Sequence, residues 1–246
     1  MIDLHCHYLP GIDDGAQTVE EALSLARAAV DAGIRTAVLT PHVHIGRYDN
    51  TLSSIRRSFA QFQELLLRED IALDIRVGGE VRIAAEIVPL VEEGQIPFIG
   101  QLGNDRIILL EFPHSHLLAG GEKLIKWLLD RNIRPLIAHP ERNRDVMRNV
   151  DKIAEYVAMG CLLQVTGASI IGQFGKSAQV CAQALLDRNW VSVVATDAHN
   201  MQYRPPNLNL AFEALAAMGG VQYARELTEI LPGRIISSPR SAQLAS

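Results

Sequence analysis

His5 and His7 stand two residues apart, so on a β-strand both imidazoles share one face and Cys6 takes the other. Asp13-Asp14-Gly15 follows, a turn sequence able to bring a carboxylate beside them, with Asp14 the expected ligand. Further on, His42 ends Thr40-Pro41-His42, Glu80 ends Gly78-Gly79-Glu80, and Glu111 ends an Ile-Ile-Leu-Leu run. His139 lies in Ala138-His139-Pro140, and Asp197 and His199 in Thr196-Asp197-Ala198-His199. A carboxylate entering an apolar strand, as at Glu111 or Asp197, is rare unless paired or metal-bound. Its recurrence at strand after strand points to a metal-centred site on the rim of an α/β barrel.

His5, His7, Asp14, His42, Glu80, Glu111, His139, Asp197 and His199 are too many ligands for one ion. An open zinc site uses about three protein ligands and a two-metal site about six to eight. Nine fit three clustered ions with a bridging carboxylate. Nitrogen and oxygen donors without thiolate suit manganese, iron or zinc rather than copper(I) or an iron–sulfur cluster.

The sequence also excludes other hydrolytic machinery. Cys6, Cys161 and Cys181 are odd in number and widely spaced, which suggests no disulfide framework. None opens a C-x5-R phosphate loop, because Cys181 and Arg188 are separated by six residues within a helical pattern. There is no G-x-S-x-G elbow and no Walker A segment. All three cysteines read as small buried hydrophobes.

Short β-branched runs alternate with amphipathic helical patterns. Strands are expected at Ile2–His7, Thr36–His42, Ile71–Glu80, Arg106–Phe112, Pro135–His139, Cys161–Thr166 and Val191–Asp197. Val19, Leu23, Ala26 and Val30 follow helical spacing, as do Ile55, Phe59, Phe62 and Leu66. Thr18 and Glu21 form an expected capping box, and Gly33 and Gly160 close helices. Asn207–Leu231 should form one or two closing helices. Repeated βα units imply parallel strands with right-handed crossovers. Six of the seven strands end in a potential ligand, and only a ring brings six strand ends to one centre. The expected fold is therefore a distorted (β/α)7 TIM-like barrel, one domain over residues 1–246, with the metals at the C-terminal strand ends.

At 246 residues, 48% hydrophobic and 21% charged, the chain can bury a substantial core. A net charge of -5 argues against general nucleic-acid binding. No cationic leader with an apolar h-region and no membrane-length apolar run is present, so no membrane insertion and a cytoplasmic location are expected.

The series HxH, DDG, TPH, GGE, EF, AHPER, TDAHN and RPP resembles the polymerase-and-histidinol-phosphatase (PHP) superfamily. It resembles most its bacterial protein-tyrosine phosphatases of capsule and exopolysaccharide synthesis. The motifs run in family order over nearly the whole chain. The resemblance implies a trinuclear centre, Mn²⁺ foremost with Fe or Zn as alternatives, held by the nine residues named above, with Glu80 bridging. It also implies that Arg142 of HPER and Arg204 of YRPP contact the phosphoryl group. A phosphotyrosyl protein, in particular a bacterial tyrosine kinase, is the implied substrate.

Charge supports a phosphate ester. Three divalent ions would bring about +6, against about -4 from the carboxylates. The two arginines leave a surplus that suits a monoester of about -2. The expected chemistry is in-line attack on phosphorus by a metal-bound hydroxide, with His42 or His199 as candidate acids. Two alternatives are a PHP phosphoesterase acting on a small ester such as histidinol phosphate, and a non-catalytic metal-binding module that docks a kinase.

Overall fold

The computed structural model describes residues 1–237. Ten strands run β1 (Ile2–Cys6), β2 (Thr36–Leu39), β3 (His42–Val43), β4 (Asp74–Val77), β5 (Glu80–Arg82), β6 (Gly100–Leu102), β7 (Asp105–Glu111), β8 (Ile133–Ala138), β9 (Leu162–Thr166) and β10 (Val191–Ala195). Every pairing is parallel except that of β6, a short antiparallel strand on β7 that the alternation of βα units did not predict.

Two of the expected strands are each split in two. Thr36–His42 becomes β2 and β3, interrupted at Thr40-Pro41, where proline offers no ladder N–H. Ile71–Glu80 becomes β4 and β5, interrupted at Gly78-Gly79. Backbone hydrogen bonds step across both breaks, from Gly78 N to Leu39 O at 2.9 Å and from Glu80 N to Pro41 O at 3.0 Å. The ladders form a three-stranded sheet β1-β2-β4 and a second sheet β10-β9-β8-β7-β5-β3, with β6 paired to β7. Where β10 meets β1, a single Cys6–Ala198 bridge and the bonds His7 N→Ala198 O (2.9 Å) and Asp197 N→His5 O (2.8 Å) hold the seam. The TIM-like succession of parallel strands is as expected, but it is assembled from two sheets with stitched seams.

Helices follow the strands. α1 (Val19–Asp31) starts where the Thr18 side chain accepts the Glu21 N–H. The expected capping box is only half made there, because Glu21 accepts from Gln17 N rather than from Thr18 N. α2 (Leu52–Arg68) carries the full reciprocal box, between Thr51 and Ser54. α3 (Ile87–Glu92), α4 (Gly121–Leu129), α5 (Arg144–Arg148), α6 (Ala154–Ala158), α7 (Gly167–Ile170) and α8 (Lys176–Asp187) complete the crossovers. The C-terminal helical region is more broken than expected: α9 (Leu208–Gly219), α10 (Val221–Arg225), a π turn at Glu226–Ile230 and α11 (Leu231–Ile236).

Two apolar clusters decide where the site can be. The larger lies between strands and helices; the smaller fills the space inside the strands with Leu4, Val38, Ile107, Leu109, Leu136 and Val193. Ile235 and Ile236 of α11 pack against that inner cluster. Each buried Leu or Ile contributes about 1.5–3 kcal/mol, so this plug keeps water from the inner face. The polar residues are left to the strands' C-terminal ends. Leu4 belongs to the inner cluster and Cys6 to the outer one, and β1 shifts register between Asp3 and Cys6. A bulge of this kind re-aims side chains, and here it brings both His5 and His7 to the site.

Cys161 and Cys181 also lie in the outer cluster, and all three thiols are free and buried. Burial pushes the thiols of Cys161 and Cys181 up to about 12. Changing each cysteine in turn to Ala or Ser should leave turnover within a few-fold of the parent. The native protein should resist alkylation at pH 8, read by mass spectrometry. A folded, metal-loaded single variant without activity would point to a thiolate nucleophile.

Candidate metal centre

All nine sequence-predicted ligands meet at one end of the strands. His5 and His7 face each other with their Nε2 atoms 3.2 Å apart. Glu80, fully buried at the start of β5, lies at their centre: Oε1 is 2.9 Å from His139 Nε2, and Oε2 is 3.0 Å from His42 Nδ1 and 3.2 Å from His5 Nε2. Asp197 Oδ1 lies 3.3 Å from His5 Nε2 and 3.5 Å from His7 Nε2. At the rim, Asp14 Oδ1 approaches His42 Nε2 (3.1 Å) and His199 Nε2 (3.5 Å). Among the described residues these side chains form four overlapping sets able to hold an ion: His5-His7-Glu80, His42-Glu80-Glu111, His5-His139-Asp197 and His7-Asp14-His42-His199.

Local backbone explains how the ligands converge. His139 directly follows β8, Asp197 lies two residues past the end of β10, and both take left-handed backbone, φ 34° and 52°. Gly15 is required by proximity, because a Cβ there would meet His7 O at 2.2 Å. The Asp13-Asp14 turn can therefore lie directly against β1.

Groups behind the ligands fix the rings. His7 Nδ1 bonds Asp13 Oδ2 at 2.7 Å, His5 Nδ1 bonds Gln164 Oε1 at 2.8 Å, and His199 Nδ1 bonds the Asp197 carbonyl at 3.0 Å. Each bond engages the ring at Nδ1 and leaves Nε2 as the atom turned to the centre. Asp13 was missed from sequence because only one carboxylate of the pair was expected to act. It also accepts from Gly15 N and His42 N, so it joins three segments. Gln164 carried a signal, a polar residue inside Leu-Leu-Gln-Val. Asp13→Asn should lower metal affinity about 10–100-fold without unfolding the protein. Competition with a chelator of known affinity measures this, and unchanged affinity would remove Asp13 from the support.

Electrostatics divide the cluster. Burial raises the Glu80 carboxyl, but the charges of His5 and His42 outweigh it and hold the group well below its usual range. Burial acts on Asp197 in the same way and is likewise outweighed, by Arg204 and then His5. Burial, with Arg142 nearby, pushes His139 down to about 3. Burial, with His7 nearby, pushes His199 down to about 4.

Arg142 and Arg204 both donate to Asp197 Oδ2. They line an open cleft of about 550 Å³ above the cluster. Arg47, Arg82 and Arg144 also line it, giving five guanidinium groups against the carboxylates of Asp14, Glu80, Glu111 and Asp197. Arg82 holds Glu111 at 2.9 Å. It shares a strand face with Glu80 two residues earlier, a signal available in the sequence. His44 and His114 line the cleft as well, with the His114 ring stacked on His139 at 5.3 Å. His116 bonds Ser115 on the exposed loop.

Residues 1–237 match the family model described as "Capsular polysaccharide synthesis, CpsB/CapC". The chain belongs to the CpsB/CapC family. It is 37% identical over 229 residues to the tyrosine-protein phosphatase YwqE of Bacillus subtilis, covering 93% of this chain and 89% of the relative. It is 30% identical over 241 residues to the tyrosine-protein phosphatase CpsB of Streptococcus pneumoniae, covering 96% and 98%. A solved structure from work on YwqE and CpsB as "unique metal-dependent tyrosine phosphatases" superposes with TM-score 0.85 at 36% identity, covering 91% of this chain and 90% of that one. The lactonase Lmo2620 of Listeria monocytogenes, at TM-score 0.58 and 14% identity, covers 97% and 95% and shares the fold alone. The CpsB/CapC match spans every element that carries one of the nine clustered residues.

Proposed function

We propose that this CpsB/CapC chain is a metal-dependent protein-tyrosine phosphatase whose ligands are the nine clustered residues and whose phosphoryl clamp is Arg142 with Arg204. The observation that carries this is the convergence of nine nitrogen and oxygen donors beneath a cleft lined with arginine and free of thiols. The donor set fits divalent ions. Glu80 Oε2, Asp197 Oδ1 and His199 Nε2 are buried in the cluster without a hydrogen-bond partner, although the neighbouring ligand atoms crowd around them. An unsatisfied buried polar atom is costly, and cations held in their separate sets would satisfy all three. With Glu80 shared between sets, the nine donors suit three ions, Mn²⁺ foremost and Fe or Zn as alternatives.

Such ions would supply positive charge for the phosphoryl oxygens and acidify water. The chain's residues do the rest. Arg142 and Arg204 offer forked donors to the phosphoryl oxygens, which fixes the ester for in-line displacement. His139 and His199, held neutral by burial, keep their lone pairs for ligation. The leaving phenolate, with parent pKa about 10, needs little protonation.

The cleft wall includes the exposed residues Arg47, Ser115 and Arg144, so its mouth suits a phosphotyrosine carried on a protein. The family's link to capsular polysaccharide synthesis supports a tyrosine kinase of that process as the substrate. The family match over residues 1–237 supports reading that span as one domain. Among the described residues no helix is long and apolar enough to cross a membrane.

The test compares a phosphotyrosyl peptide with histidinol phosphate, before and after chelation and Mn²⁺ return. Chelator-sensitive turnover that favours the peptide is expected. Preference for histidinol phosphate would establish the small-ester reading, and no turnover of either by metal-loaded protein would establish a docking module. Full activity in exhaustively demetallated protein, verified by elemental analysis, would overturn the metal requirement.

A further inference from the structure

β9 ends without a ligand, yet the loop that follows it reaches the site. Gly172 (φ 82°) and Gly175 (φ 87°) bracket Gln173 and Phe174. The turn is closed by Gly175 N→Gly172 O at 3.1 Å and anchored by Gln173 N→Ala168 O at 2.9 Å. The Gln179 side chain of α8 donates to Ile170 O of α7 at 3.2 Å, joining the two helices that flank the loop. The half-buried Phe174 ring is therefore carried on a braced turn. It faces the guanidinium carbons of two arginines from different loops: Arg142 after β8, 4.6 Å from the ring centroid, and Arg204 after β10, 5.9 Å away.

These two cations meet on one oxygen of Asp197, so they stand close together and repel. A second carboxylate could hold them, but it would consume the N–H donors that a phosphoryl group requires. An aromatic face attracts a guanidinium through its quadrupole and leaves the in-plane donors free. We infer that Phe174 is a positioning residue, a π platform that holds Arg142 and Arg204 edge-on to the cleft so that their donors meet a phosphate ester together. This rests on the reading of the two arginines as the phosphoryl clamp. Generic apolar packing would be served equally well by leucine; a platform would not.

The experiment compares Phe174→Leu and Phe174→Tyr with the parent, all metal-loaded and verified by elemental analysis and thermal melting. Phe174→Leu should lower kcat/KM for a phosphotyrosyl peptide about tenfold, the scale of a desolvated cation–π contact. It should also weaken inhibition by inorganic phosphate by a similar factor, with metal content unchanged. Phe174→Tyr should retain most of both. In the Arg142→Ala, Arg204→Ala background the leucine change should have little further effect, because the interaction it removes is already gone. In metal-free protein, ¹⁵N NMR should show the ring-current shift of the Arg142 Nε–H lost in Phe174→Leu and kept in Phe174→Tyr. Parent-like phosphate inhibition in Phe174→Leu, equal damage from leucine and tyrosine, or an undiminished leucine effect in the double-alanine background would each overturn the platform. If the parent binds phosphate but hydrolyses no phosphotyrosine, the proposed function fails while phosphate binding and NMR still decide the role of Phe174.

Discussion

Glu80→Gln should strip the protein of metal and of activity together. The substitution keeps size and shape, so the consequence is that of charge and ligation alone. In the structure the two Glu80 oxygens contact His139, His42 and His5 within 3.2 Å, with His7 at 3.5 Å. The residue takes part in two of the four ion-holding sets. A carboxamide offers one weak neutral oxygen, and its NH₂ group presents protons where a lone pair is required. Charge stabilisation by a metal ion is worth several kcal/mol, and about 4 kcal/mol is roughly 10³-fold in rate. Elemental analysis, circular dichroism and phosphotyrosyl-peptide kinetics on the same preparation provide the measurement. A folded Glu80→Gln protein with full metal content and near-parent turnover would show that the other eight donors suffice.

The arginines should behave in the opposite way. Arg142→Ala and Arg204→Ala should each lower kcat/KM about 10²–10³-fold, the loss expected for one transition-state clamp, while metal content stays near normal. Both side chains are partly exposed, at 16% and 20%, and neither belongs to an ion-holding set. Lysine at either position should rescue only in part, because a point charge cannot supply a fork of parallel donors. His139→Ala is the internal control and should lower metal occupancy itself. Near-normal kinetics in both alanine variants would show that the metals alone hold the phosphate.

The residues that cluster were legible in the sequence because burial of charge is rare. Glu111 after four aliphatic residues, and Asp197 after Val-Ser-Val-Val-Ala-Thr, mark strand ends facing something more polar than a core. The parallel strands were legible for a related reason, since apolar runs alternated with helical spacing. What stayed hidden depended on contacts distant in sequence. Asp13 supports His7 only because Gly15 allows the turn to lie against β1. Gln164 reaches His5 across 159 residues, and Phe174 meets its arginines through a loop with no recognisable motif. The splits at Pro41 and Gly78-Gly79 were written in residues known to interrupt strands, but strand propensity on both sides masked them. Strand β6 is three residues long, too short for alternation to show.

The left-handed backbone at His139 and Asp197 bears on how this protein could be evolved. A non-glycine residue held in that region costs about 1–3 kcal/mol, although histidine and aspartate enter it more readily than most side chains. Glycine at position 139 would relieve the cost, yet it deletes a donor of one ion-holding set. A thermostability screen run without divalent ions would therefore enrich for inactive proteins. Saturating ions reverse the selection: at a thousand times Kd they add about 4 kcal/mol to the folded state, more than the local relief. Whether a laboratory lineage of this enzyme keeps its chemistry is thus set by the metal concentration in the growth medium.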